Sequence, residues 1–141
     1  MDIILKASFD SNDLRIENRE LVFHGFIQVE KVSLRHRLFE QNHETPTLTR
    51  ELVRRKQAAG VLLYDDRQQS FALIEQFRIC AMDDPHSPWQ LEIIAGVLDG
   101  DESPACCIRR ESLEESGCEI STLEHLFSFY PSACACDEIF P

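Results

Sequence analysis

Three glutamates, Glu111, Glu114 and Glu115, fall within five residues of one another near the end of a segment that reads as a helix. Glu111 and Glu115 are four apart and share a helix face, with Glu114 beside them. Like charges at that spacing repel, and these stand in the last turns, where the helix dipole favours cations. Left alone, the arrangement destabilises the helix. A hard divalent cation held by carboxylate oxygens removes that penalty; Mg2+ commonly takes one or two carboxylates and keeps waters and substrate phosphates as its other ligands. A plainer reading stays open on the same residues: a solvated face in which Arg110 pairs with Glu114 at four-residue spacing and Arg109 adds further positive charge.

The elements that must position these groups can be read from the flanking sequence. Ser103-Pro104 is a helix start, since serine caps the free amides and proline suits the first helical position, and Gly117 is the matching stop. Between them lie about three and a half turns. Trp89–Leu98 reads as a strand running into the turn Asp99-Gly100-Asp101, so the acidic face is expected at a sheet edge. Trp89 itself is expected in the core, its indole N–H bonded to backbone. Upstream, Leu21–Leu38 is predicted to hold one or two strands, Glu40–Pro46 a loop, and Thr47–Arg55 an extended run. Ala58–Asp65 and Ser70–Phe77 are predicted as an antiparallel hairpin across Asp65–Gln69, followed by a loop at Ala81–Pro88. Leu123–Tyr130 is expected to form a further strand.

Composition narrows what such a site can serve. A chain of 141 residues with 43% hydrophobic and 28% charged residues suits a packed domain. Its 25 acidic against 14 basic residues give a net charge of -11, which opposes unspecific attraction to nucleic acid or to anionic membranes and leaves open an anionic ligand met where the few basic residues converge. No apolar run approaches the roughly 18 residues a membrane helix needs. Met1–Lys6 places Asp2 where a signal peptide wants positive charge, so a cytoplasmic location is expected. The six cysteines lack a CxxC pair and a neighbouring histidine pair; reduced, mostly buried thiols are expected rather than a zinc site. The sequence stops as an apolar run begins at Glu138–Pro141, which leads to the expectation that elements completing the domain lie beyond it.

The stretch from Gly96 to Cys118 resembles the Nudix box, GX5EX7REUXEEXGU, in which U is a bulky aliphatic residue. Gly96, Glu102, Arg110, Glu111, Glu114, Glu115 and Gly117 fall at its fixed positions. Ser112 and Cys118 depart from it, standing where bulky aliphatics are usual, which suggests a looser seat for the helix. The resemblance implies an α+β fold, the Nudix α/β/α sandwich with a mixed sheet, and hydrolysis of a nucleoside diphosphate linked to another moiety. It implies that Glu111 and Glu115 bind Mg2+ (or Mn2+) directly together with the backbone carbonyl of Ala95. Glu114 is then a direct or near neighbour of the metal, and Glu102 and Arg110 pair to lock the loop onto the helix.

Similarity extends beyond the box. Phe23–Phe26 through Arg35–Phe39, then Ala72–Arg78, then Pro88–Gly96, look like bacterial ADP-ribose pyrophosphatases. That likeness implies an N-terminal β region, residues 1–55, that meets its copy in a homodimer, and a catalytic domain over 56–141, incomplete at its C-terminus. It implies substrate contact by Phe26, Arg50, Glu75, Arg78 and Glu138. Here Ala133-Cys134 replaces a Pro-Gly pair common in this branch, so the path of the following loop is not fixed by turn chemistry. The family's catalytic glutamate on a loop well past the box has no counterpart within the 141 residues, and general base catalysis commonly contributes roughly 10²–10⁴-fold. Three functions therefore stand: a Mg2+-dependent hydrolase of ADP-ribose, a hydrolase of another nucleotide sugar such as GDP-mannose, or a Nudix-like module that binds nucleotide or dimerises with little activity.

Overall fold

The computed structural model of the chain describes residues 7–39 and 43–141. The reading of Met1–Lys6 and part of the expected loop at Glu40–Pro46 lie outside the described residues. The chain divides into two compact units: the described residues up to Arg55 together with Ser132–Asp137, and Lys56–Pro131 together with Glu138–Pro141.

In the first unit three long strands, β1 (Leu14–His24), β2 (Gln28–His36) and β3 (Leu48–Arg54), form an antiparallel sheet in that order. β1 begins seven residues before the expected strand, because its polar residues alternate along a two-sided, exposed ribbon rather than marking a loop. Ion pairs between neighbouring strands replace a thick core: Arg19 reaches Glu30 at 3.0 Å and Arg35 reaches Glu17 at 2.7 Å. The segment Ser132–Asp137 is tied to β3. Val53 donates to the carbonyl of Ala135 and accepts from Asp137, while Arg54 bridges Glu30 at 2.9 Å and Asp137 at 2.7 Å. Backbone pairing and an ion pair thus fix the path that the missing Pro-Gly turn leaves open.

The second unit carries the helix. The hairpin across Asp65–Gln69 forms as expected between β5 (Leu63–Asp65) and β6 (Ser70–Ala72), its turn closed by N–H groups of Arg67 and Gln68 donating to the Asp65 carboxylate. The expected long runs break at Leu62, Leu73 and Ile93. As a result β4 (Ala58–Val61) pairs with β9 (Ile94–Val97), and β7 (Ile74–Phe77) pairs with β8 (Trp89–Glu92), both antiparallel. The helix α1 (Pro104–Ser116) has Ser103 as its cap, accepting from the Cys106 N–H, and ends at Gly117 in the left-handed region with φ +69°. It packs on β4 and β9: Cys107 and Ile108 are buried against Ala59, with Val61, Leu98, Ile120 and Leu123 around them. Strands with this one helix among the described residues make the α+β fold class expected from the sequence.

Four expectations are corrected. Leu123–Tyr130 is not a strand; only Phe129 pairs, with Phe140, through N–H···O bonds of 2.8 and 2.9 Å. A strand needs a sustained ladder, and this one ends after a single pair. Trp89 is 54% exposed and meets Phe77 edge-on at 5.6 Å, because β8 pairs on a two-stranded ribbon whose outer face no described element covers. The cysteines are all free thiols, but only Cys107 is buried; Cys80, Cys106, Cys118 and Cys134 sit on turns or outward faces. The seat of the helix at Ser112 is tight. This serine is fully buried and donates to the Cys118 carbonyl at 2.8 Å, while Ser116 donates to the Ser112 carbonyl at 2.7 Å, so hydrogen bonds do there what aliphatic bulk does in the box. Ser112→Ala is expected to destabilise the fold by about 0.5–1.5 kcal/mol, because it removes the hydrogen bond to the Cys118 carbonyl. Urea unfolding measures this, and an unchanged midpoint contradicts it.

Candidate active site

All the acidic residues of the helix face, with Glu102, Ala95 and Arg78, belong to the second unit. Capping by Ser103 and the left-handed stop at Gly117 set the phase of α1, and that phase brings Glu111 over β9. The closeness of the approach is visible at Gly96. A Cβ built there would lie 2.1 Å from both Cδ and Oε1 of Glu111, so only glycine admits this carboxylate. Ala95 is the preceding residue on the same strand. The Gly96 carbonyl accepts from the Cys107 thiol at 3.4 Å, which fastens the strand to the helix one turn earlier. Burial, and then the charge of Glu102, push that thiol above its ordinary pKa, so it stays protonated and able to donate.

Arg110 is the centre of the electrostatics. Its Nε and Nη2 reach the two oxygens of Glu102 at 3.2 and 2.9 Å, and its Nη1 reaches Glu111 at 2.6 Å and Glu114 at 3.3 Å. Glu102 in turn accepts from the Asp99 N–H at 3.3 Å, so the turn before the helix is closed by the same carboxylate. The Arg110–Glu114 pair of the plainer reading therefore exists, but as one contact of several. Three carboxylates share one guanidinium, and the cluster keeps a surplus of negative charge. Hydrogen bonding from Arg110 holds Glu102 below the usual carboxylate range, and Glu102 with Glu111 drives the Arg110 pKa upward.

Glu115 faces β7. Its Oε1 accepts from Gln76 Nε2 at 2.6 Å, while its Oε2 is buried with no hydrogen-bond partner. A buried bare carboxylate oxygen is costly unless something positive meets it. Among the described residues no three acidic, histidine or cysteine side chains converge as a metal cage. The carboxylates of Glu111 and Glu115 offer hard oxygen donors. That set fits Mg2+ or Mn2+, which retain waters and phosphate oxygens, and does not suit zinc or copper.

Arg78 follows β7 and is gripped by Glu92 from β8, with Nε 2.9 Å from both carboxylate oxygens and Nη2 2.5 Å from one. The hydrogen bonds lower the Glu92 pKa and raise that of Arg78, to which the charge of Glu115 adds a smaller upward push. Glu75 stands between Gln76 and Ile74 on the strand and is exposed on its other face. Glu138 is partly buried in the second unit. Phe26 and Arg50 belong to the first unit. Phe26 is fully exposed at the tip of the β1–β2 hairpin; Arg50 lines an apolar cavity of about 270 Å³ with Leu14, Ile16, Val32 and Cys134. Sequence reasoning assigns no role to Gln76 or Glu92. The signal for Gln76 is the alternation along β7, which sets it and Arg78 on one face; Glu92 has no comparable cue, because its meeting with Arg78 depends on hairpin register.

A family model of the NUDIX domain matches residues 54–140. The chain is 37% identical over 130 residues to an ADP-ribose pyrophosphatase of Escherichia coli (strain K12), covering 91% of this chain and 61% of that protein. It is 35% identical over 127 residues to the ADP-ribose pyrophosphatase of Haemophilus influenzae, covering 88% and 58%. A GDP-mannose pyrophosphatase of Shigella flexneri is 42% identical over 84 residues, 59% of this chain and 44% of that protein. Among solved structures, an ADP compounds hydrolase superposes with a TM-score of 0.69 at 20% identity, covering 94% of this chain and 66% of that one, which shows the shared fold. The chain spans about three fifths of the length of the curated ADP-ribose pyrophosphatases it matches.

The ion pairs bear on acid stability. Glu92 and Glu102 have folded-state pKa values below the ordinary 4.5, so the unfolded chain takes up protons first as pH falls. Their stabilisation is complete above the unfolded value and is lost as pH drops through 4.5 toward the folded values. Thermal melts are expected to be nearly flat above roughly pH 6 and to fall steadily below roughly pH 4.5. A melting temperature that rises on acidification through that window contradicts the pairing.

Proposed function

The chain belongs to the Nudix family, and on that premise we propose that it hydrolyses the diphosphate of ADP-ribose to AMP and ribose 5-phosphate with Mg2+ as cofactor. The observation that carries this reading is the pair of carboxylates on one helix face, Glu111 seated on Gly96 and Glu115 with a buried oxygen lacking a partner. In this reading Glu111, Glu115 and the carbonyl of Ala95 hold the cation, Mn2+ being a workable substitute, and Glu114 stands at their edge. When bound, the cation supplies neutralisation of the diphosphate, polarisation of phosphorus and a more acidic water.

The chain's own part is to position and to neutralise. Arg110, by clamping Glu102, holds the turn at Asp99 against the helix. Arg78 offers a planar fork suited to phosphate oxygens, in an orientation set by Glu92. Within the catalytic domain, residues 56–141, Glu75 and Glu138 contact the substrate; the N-terminal β region, residues 1–55, which carries Phe26 and Arg50, meets a second copy in a homodimer. The exposed apolar side chains of β1, among them Leu21, Val22 and Phe23, support that pairing. A cytoplasmic setting belongs to the same reading, and the free thiols suit a reducing compartment.

ADP-ribose as substrate is supported by relatives that match over nine tenths of this chain. A second reading, hydrolysis of GDP-mannose, is favoured by the higher identity of GDP-mannose pyrophosphatases over a shorter stretch. Purified chain with Mg2+ and ADP-ribose is expected to release AMP, followed by chromatography, with GDP-mannose run in parallel as the discriminating substrate. Glu111→Gln and Glu115→Gln are each expected to slow release by roughly 10²–10³-fold. Absence of AMP, or a variant that keeps the wild-type rate, contradicts the proposal.

A further inference from the structure

Gln76 donates from Nε2 to Oε1 of Glu115 at 2.6 Å, a side-chain bond between residues 39 apart in the chain, and Oε2 of the same carboxylate is buried and bare. A carboxylate with one oxygen held and the other open is aimed, because turning it would break the bond that Gln76 makes. Two residues along, the guanidinium of Arg78 is committed to Glu92 through three contacts. An amide suits the task because it donates without bringing charge. A lysine at the same place would neutralise Glu115, and a glutamate would repel it.

We infer that Gln76 is a positioning residue for the cation: it fixes Glu115 so that Oε2 is presented to the cation. The inference rests on the cation site proposed above. Groups that orient metal ligands in this way typically change metal affinity by roughly 10–100-fold when removed.

The test is calorimetric titration of Mn2+, without substrate, into the full chain. Gln76→Met, which keeps the volume and removes the donor, is expected to weaken Mn2+ binding about 10–100-fold in protein that circular dichroism shows to be folded. Gln76→Asn, which keeps an amide but withdraws it by one methylene, is expected to weaken binding likewise and serves if the methionine variant folds poorly. Wild-type affinity in the folded Gln76 variants, beside weakened binding in Glu115→Gln, overturns the role of Gln76 alone. Wild-type affinity in Glu115→Gln overturns the cation site itself, and with it this inference.

Discussion

Mutual repulsion among carboxylates on one helix face is the constraint around which the second unit is arranged. Glu111, Glu114 and Glu115 occupy the end of α1 where the helix dipole already disfavours negative charge. The protein does not disperse them. Arg110 takes one oxygen of Glu111 and one of Glu114 while closing on both oxygens of Glu102, Gly96 makes room for the Glu111 carboxylate, and Gln76 secures Glu115 from the neighbouring strand. One guanidinium for three carboxylates, with Glu115 held only by a neutral amide, leaves the cluster under-neutralised, and the remaining imbalance is what a divalent cation and an anionic substrate can use.

Such a cluster needs a rigid support, and the packing supplies one. Cys107 and Ser112 are fully buried on the inner side of α1, while Ala59 of β4 packs against Cys107 and Ile108. Small residues at these contacts let helix and strand approach closely enough for Glu111 to rest on the α-carbon of Gly96. The same closeness explains why a serine fills the position where the box carries an aliphatic side chain: its hydroxyl is consumed by the Cys118 carbonyl just past the helix stop. Stiffness there comes from satisfied polar groups and not from bulk.

The parts legible in the sequence are those set by local chemistry. Ser103, Pro104 and Gly117 mark the helix because capping, a fixed φ and a left-handed stop are properties of single residues. The turn at Asp65–Gln69 is legible for the same reason. What local chemistry does not contain is pairing. The runs Ala58–Asp65 and Ser70–Phe77 look like two strands, yet β4 finds its partner in β9 and β7 finds β8, so the ladders change at Leu62 and Leu73 with no special residue to announce it. Trp89 and the exposed cysteines mislead because composition speaks for the average burial of a residue type, not for the uncovered face of a two-stranded ribbon. Within the site, the spacing of the glutamates and of Arg110 is visible in the chain. Gln76 and Glu92 owe their places to contacts across the fold.

The most direct test is an X-ray structure of crystals grown with Mn2+, read from the anomalous scattering of the metal. The account predicts a Mn2+ peak between Glu111 and Glu115, bound by Oε2 of Glu115 and the Ala95 carbonyl, with Arg110 released from Glu111 but still paired to Glu102. An anomalous map featureless there, with Arg110 still bonded to Glu111 and Glu115 Oε2 facing protein alone, would contradict it.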